Sequence, residues 1–149
     1  MLAFARPKCY LAGPMAGLPK HNYPLFIEAT EYLRHRDYDI ISPVECINNE
    51  GGSISWQDCM RRDLGQLVIC NKIFLLPDWQ QSRGATLELF ISAMLGLSIY
   101  TIKVVEENGN RHFNLWQVHF SPLRALCYLL EAHFPDMARR IITAIRLEE

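Results

Sequence analysis

The sequence predicts an α/β fold with a mostly parallel sheet and helices on both faces. Three observations carry this. Short apolar runs alternate with longer segments of helical periodicity. Each of the first three runs stops at a turn signal, Gly13-Pro14, Ser42-Pro43 or Pro77-Asp78. The stretches between them are long enough to cross over and return a strand parallel to its predecessor.

Residues 9–12 form the first strand, with Gly13-Pro14 ending it. Residues 24–36 read as a helix, with Phe26, Ile27, Ala29 and Leu33 on one side. Residues 38–41 are a second strand, and residues 48–53 a polar, glycine-containing loop. Ser55-Trp56 opens a helix running to about Cys70. Residues 72–76 are a third strand. Ser82 reads as the N-cap of the next helix, because its hydroxyl can accept from a free backbone N–H. Residues 98–105 are a fourth strand. Asn108-Gly109 is a hairpin signal joining it to residues 112–118. Ser121-Pro122 opens helix 122–134, carrying Leu123, Leu126, Leu129 and Leu130. Pro135-Asp136 opens a last helix with Ala138, Ile141, Ile142 and Ile145, plus Arg139, Arg140 and Arg146. These last two helices either cover a sheet face or form a subunit interface. No internal repeat or low-complexity segment is present.

The chain has 149 residues, half of them apolar, and a net charge of −1. That suits one domain with a sizeable core. Lys and Arg are scattered, so no polyanion face is expected and nucleic acid polymers are excluded as partners. The five cysteines form no CxxC pair, and the histidines show no HExxH or zinc spacing. Reduced thiols in a cytoplasmic protein, with no metal and no cofactor, are expected. The first six residues lack the apolar core of a signal peptide. No charge-free apolar stretch reaches membrane-span length, so no membrane partner is expected. Residues 84–102 come closest, and Glu88 interrupts them.

Glu88 is the only charge between Arg83 and Lys103. Carboxylates are rarely buried unless paired, because desolvation penalises the charged form by several kcal/mol. A reactive carboxylate suits this position; a Glu on a half-exposed helix edge suits it too. Asp63 lies on a stripe with Trp56, Cys59/Met60 and Leu67, so it faces the sheet or a pocket, or pairs with Arg62. Ser82-Arg83-Gly84 opens the Glu88 helix, where free N–H groups and the helix dipole suit an anion. An ordinary cap with one tolerated glycine is the simpler alternative. The turn from Gly13 to Gly17 permits close backbone approach to a ligand, or is only a tight turn; it is neither a P-loop nor a GxGxxG fingerprint. Ligands of parallel sheets bind beyond the carboxyl ends of the strands, which is where these residues gather.

Taken together, Tyr10-Leu11-Ala12-Gly13-Pro14-Met15-Ala16-Gly17, Arg62-Asp63-Leu64 and Ser82-Arg83-Gly84-Ala85-Thr86-Leu87-Glu88 resemble the nucleoside 2-deoxyribosyltransferase-like superfamily. The likeness is greatest to its DUF4406 branch, which reads "GPMxGxPxxN…F", "MRRD" and "SRGAxLE". Asn22, Phe26 and Pro43 fit as well. The resemblance covers residues 8–102. It divides the chain into a core, 1–105, and a C-terminal extension, 106–149.

The resemblance implies a flavodoxin-like sheet of four to five strands and cleavage of an N-glycosidic bond. Glu88 matches the catalytic glutamate. Asp63 matches the Asp that contacts or protonates the base, and Tyr10 the Tyr that orients the carboxylate. Gly13, Pro14, Met15, Gly17, Asn22, Asp78, Ser82, Arg83 and Gly84 are the implied substrate-binding residues. Six positions before the glutamate, the nucleoside-transferring enzymes have an Asp facing a 5′-hydroxyl. Ser82 stands there instead, as in 2′-deoxynucleoside 5′-phosphate N-hydrolases, and a carboxylate would repel a phosphate. Those hydrolases carry Ser and Arg in the first turn, where this chain has Pro14 and Ala16. Phosphate contacts then fall to backbone N–H groups, Lys20 or Arg83.

The expected reaction is a retaining attack by ionised Glu88 on a 2′-deoxynucleoside 5′-monophosphate, ending in hydrolysis or transfer. Such mechanisms place two carboxyl groups ~5–5.5 Å apart, and Asp63 with Glu88 is the candidate pair. The alternatives are a nucleotide-binding sensor or modulator without turnover, and hydrolysis of another N-riboside such as a dinucleotide cofactor. The expected partner is a small nucleotide or nucleoside, and the expected assembly is a homo-oligomer, dimer or higher.

Overall fold

A computed structural model describes residues 5–46 and 54–148. The loop expected over residues 48–53 and the side chain of Ile145 lie outside the described residues. Strands β1 (Lys8–Ala12), β2 (Asp39–Ile41), β3 (Lys72–Leu75), β4 (Ser98–Glu107) and β5 (Asn110–Val118) form one sheet in the order β2-β1-β3-β4-β5. The first four are parallel, and β5 pairs antiparallel with β4 from Ile99–Val118 to Glu107–Asn110. This is a flavodoxin-like arrangement, as the sequence predicts. Between β1 and β3 the strand order reverses, which opens a crevice at their carboxyl ends.

Helices α1 (Tyr23–Arg34), α2 (Trp56–Leu67), α3 (Arg83–Leu95), α4 (Pro122–His133) and α5 (Pro135–Glu148) complete the chain. Alternation along β1 sorts the core into two layers. Cys9 and Leu11 pack with Phe26, Ala29 and Leu33 of α1. Tyr10 and Ala12 point the other way, toward Leu67 of α2, Ala85 and Leu89 of α3, and Ala125 of α4. Full burial of side chains such as Phe26, Leu33 and Phe74 stabilises the fold by about 1.5–3 kcal/mol each.

Serine hydroxyls open three helices as the sequence predicts. Ser55 accepts from Asp58 N at 3.1 Å, Ser82 from Ala85 N at 3.1 Å and Ser121 from Arg124 N at 3.2 Å. Each such cap stabilises its helix by about 1 kcal/mol. Several boundaries differ from expectation by one to three residues. α2 stops at Leu67 rather than near Cys70, with Val68 and Ile69 exposed in a turn. β4 continues to Glu107 because the turn Asn108 (φ 51°) and Gly109 (φ 78°) keeps the hairpin paired to its tip. Both turn residues are left-handed, as a tight hairpin of this hand requires.

The last two helices behave differently. α4 lies on α3, rooted by Tyr128 against Trp79 and Phe120. α5 buries Ala138 but leaves Met137, Ile141, Ile142 and Leu147 exposed. No helix among the described residues is long and apolar enough to cross a membrane.

Candidate active site

The cavity opens at the carboxyl ends of β1, β2 and β3. Its volume is about 460 Å³, in the range of small-ligand sites. Gly13, Pro14, Met15 and Ala16 line it from the turn after β1, Pro43 from the turn after β2, and Gln81 to Gly84 from the start of α3. Trp56, Cys59 and Asp63 come from α2, and Glu88 from α3.

Glu88 sits one and a half turns into α3 and is only 6% exposed. Helical side chains lean toward the N-terminus of their helix, so its carboxyl group comes back alongside residue 84. Gly84 makes room for it. A Cβ there would lie 3.7 Å from Glu88 Oε1 and 3.2 Å from Met60 Sδ. The conformational cost of glycine in the first helical turn thus leaves the carboxylate accessible from the cavity.

Tyr10 reaches Glu88 from β1, beneath the cavity floor. It is fully buried and does not itself line the cavity. The phenol is close enough to lower the Glu88 pKa, but no hydrogen bond is formed between the two. Tyr10 OH and Glu88 Oε2 therefore have no hydrogen-bond partner among the described residues. Burial dominates the outcome and pushes Glu88 up to about 8; the Asp63 charge adds to the rise. The same pair drives the Tyr10 pKa well upward, through burial first and the Glu88 charge second. Burial therefore favours the protonated carboxyl group at rest, whereas the expected attack needs it ionised. Desolvation outweighs the phenol's help.

Asp63 satisfies both of its sequence-based readings. It is buried on the cavity wall, and it accepts from Arg62 Nε at 2.9 Å. Burial raises its pKa, with the Arg62 hydrogen bond and charge opposing that rise. Arg62 also donates to the Cys46 carbonyl at 3.3 Å, tying α2 to the chain after β2.

Ser82, Arg83 and Gly84 line the cavity mouth at the N-terminus of α3. The Arg83 guanidinium lies 3.6 Å from the centre of the Trp56 ring and 5.5 Å from that of Phe134. No carboxylate among the described residues pairs with it. Gly13 has a different reason for its identity: a Cβ there would lie 2.8 Å from Leu76 Cβ.

Gly17, Asn22, Asp78 and Lys20 do not line the cavity. Asn22 instead donates to the Pro14 carbonyl at 3.0 Å, bracing the turn that does. Lys20, His21 and Asn22 are three successive left-handed residues, a costly conformation outside glycine. Asp78 is exposed, with φ 62° in the turn after β3. Conversely, Leu18, Gln81 and His133 line the cavity without a sequence signal pointing to them. Among the described residues no group of three or more His, Cys, Asp or Glu is placed to hold a metal ion.

The profile of the family described as "Domain of unknown function (DUF4406)" matches residues 7–101. The chain belongs to the DUF4406 family. The matched segment holds β1 to β3, α1 to α3 and most residues of the cavity. No curated protein matches the chain. Among solved structures, a 2-deoxyribosyltransferase from the psychrotolerant bacterium Bacillus psychrosaccharolyticus is similar, at 26% identity and a TM-score of 0.52. The match covers 63% of this DUF4406 chain and 70% of that one. A conserved protein from Enterococcus faecalis V583 shares the fold at 19% identity and a TM-score of 0.51. That match covers 65% of this chain but 63% of the Enterococcus protein, so the chain spans less than two thirds of its length.

Proposed function

We propose that this DUF4406 protein cleaves or transfers the N-glycosidic bond of a 2′-deoxynucleoside 5′-monophosphate through a covalent deoxyribosyl-Glu88 intermediate. The observation that carries the reading is the buried Glu88 carboxyl group, reachable from the cavity over Gly84 and backed by Tyr10. Similarity to a 2-deoxyribosyltransferase supports the same chemistry.

In this mechanism an ionised Glu88 oxygen bonds to C1′ as the C1′–N bond breaks, and the bonding pair leaves with the base. Positive charge developing at C1′ favours the ionised carboxylate that burial alone disfavours. Tyr10 donates to that carboxylate and orients it. Asp63, whose pKa is raised, protonates or holds the departing base. Water then resolves the ester, or a second base does so by transfer. Ser82, Arg83 and the backbone of residues Gly13–Ala16 bind the 5′-phosphate.

Incubation with a panel of deoxynucleoside 5′-monophosphates, followed by chromatography for free base, tests the reading. Base release by wild type and none by Glu88→Gln is the expected result. Absence of release by wild type, or equal release by both, rejects it.

The raised Glu88 pKa favours a second reading, a nucleotide-binding sensor without turnover. Thermal stabilisation by nucleotides with no free base over hours would select it. The reading also includes a homo-oligomer, since α5 exposes Met137, Ile141 and Ile142 in a row. Light scattering on the full chain tests that part, and a monomer would contradict it.

A further inference from the structure

The corner between α4 and α5 reaches the cavity from outside the family segment. His133, the last residue of α4, lines the cavity, and Phe134 follows it. Neither falls within residues 7–101.

Two fastenings fix this corner. His133 Nε2 lies 3.1 Å from the Gln80 carbonyl oxygen. A carbonyl only accepts, so Nε2 carries the hydrogen and the ring orientation is set. Trp79, Phe120 and Tyr128 then pack edge to face, with ring centres 5.1–5.8 Å apart, and root α4 beside the turn bearing Gln80. The aromatic root and the Gln80 contact act on the same short turn, Trp79–Gln81, which leads into Ser82. The tail is therefore part of the wall at the end where α3 begins.

Its second contribution is to Arg83. The guanidinium has Trp56 of α2 at 3.6 Å and Phe134 of the tail at 5.5 Å. Aromatic rings attract a cation through their faces and make no claim on its N–H edges. The planar fork is thus restrained while its donors stay available, which suits bidentate contact with a phosphate.

We propose that the α4–α5 corner completes a subsite for the phosphate monoester of the substrate, with Phe134 holding Arg83 against Trp56 and His133 supplying a second donor. This deepens the reading above and rests on it. With Nε2 engaged by Gln80, Nδ1 is the ring nitrogen left for a ligand, and it donates to a phosphate oxygen when the ring carries both hydrogens. The Ser82 hydroxyl accepts from Ala85 N and retains its own hydrogen to donate. Glu88, Asp63 and Tyr10 act on the sugar and base. The tail decides whether a phosphorylated or an unphosphorylated substrate is held.

Calorimetric titration of the full-length Glu88→Gln protein tests this, using one 2′-deoxynucleoside 5′-monophosphate and the same nucleoside without phosphate. His133→Gln and Phe134→Leu are each added to that background, with thermal melting checked in parallel. Each substitution is expected to weaken monophosphate binding about tenfold or more, as loss of a charge-assisted contact does, and to change nucleoside binding less than about twofold. In the Glu88-intact protein the same substitutions raise KM for the monophosphate far more than they lower kcat. Equal weakening of both ligands, or no weakening of either by both substitutions, overturns the inference while leaving the proposed function standing. If the Glu88→Gln protein binds neither ligand and wild type releases no base, the proposed function fails and this inference fails with it.

Discussion

Tyr10 and Glu88 perturb one another across the cavity floor. The phenol lowers the carboxyl pKa, the carboxylate raises the phenol pKa, and neither Tyr10 OH nor Glu88 Oε2 has a formed hydrogen bond among the described residues. Buried polar groups are nearly always paired, so two neighbouring orphans, one of them on the cavity wall, mark a place where stability has been given up. The substrate sugar is the group that the proposed mechanism brings there.

The first prediction concerns pH and rate. Glu88 is pushed up to about 8 and must be ionised to attack. Base release should therefore rise with pH through the neutral range and level off above about 8. Tyr10→Phe removes the group that lowers this pKa, so the rising limb should move to higher pH. A pH–rate profile of the two proteins checks both statements.

The second concerns pH and stability. The folded-state pKa of Glu88 is raised, so the folded protein binds more protons than the unfolded chain between the ordinary carboxyl value of 4.5 and about 8. The stability tied to its proton is complete below that window and is lost as pH rises through the folded pKa. Glu88→Gln carries no such proton. Its stability relative to wild type should increase from pH 5 to pH 8 in urea titrations at the two pH values.

Much of this architecture is legible in the residues themselves. Serine caps, strand-ending prolines and the Asn108-Gly109 turn place nearly every element, because each acts through local backbone geometry. Glu88 and Asp63 stand out as lone carboxylates on apolar stripes. Their surroundings are less legible. Whether Asp63 faces a cavity or pairs with Arg62 depends on packing, and the structure shows both at once. Gln81 and His133 have no sequence signal, since they meet only when α4 folds back on α3. Asp78 sits beside the site in sequence, but a left-handed turn carries it outward.

Arg62→Ala provides a third prediction. It removes the hydrogen bond and charge that hold down the Asp63 pKa, and it frees the Cys46 carbonyl. Leaving a largely buried carboxylate unpaired should destabilise the fold by about 1–3 kcal/mol. Denaturant unfolding of the variant reads this directly, and the loss should shrink at low pH where Asp63 is protonated.

Gly84→Ala separates stability from function. Alanine improves a helical position by up to ~1 kcal/mol, and the flexible Met60 thioether at 3.2 Å needs to give by only a few tenths of an ångström. The new methyl group would nevertheless stand 3.7 Å from Glu88 Oε1. Thermal melting should show an unchanged or slightly more stable protein. Steady-state kinetics should show kcat/KM reduced by about tenfold or more, because the methyl group occupies the approach to the carboxylate.

The most direct measurement is peptide mass mapping after rapid acid quench of wild type turning over a deoxynucleoside 5′-monophosphate. A deoxyribosyl phosphate adduct on the peptide carrying Glu88, absent from Glu88→Gln, is the predicted result. Free base produced at the wild-type rate by Glu88→Gln, or an adduct on a different residue, would contradict the role assigned to Glu88.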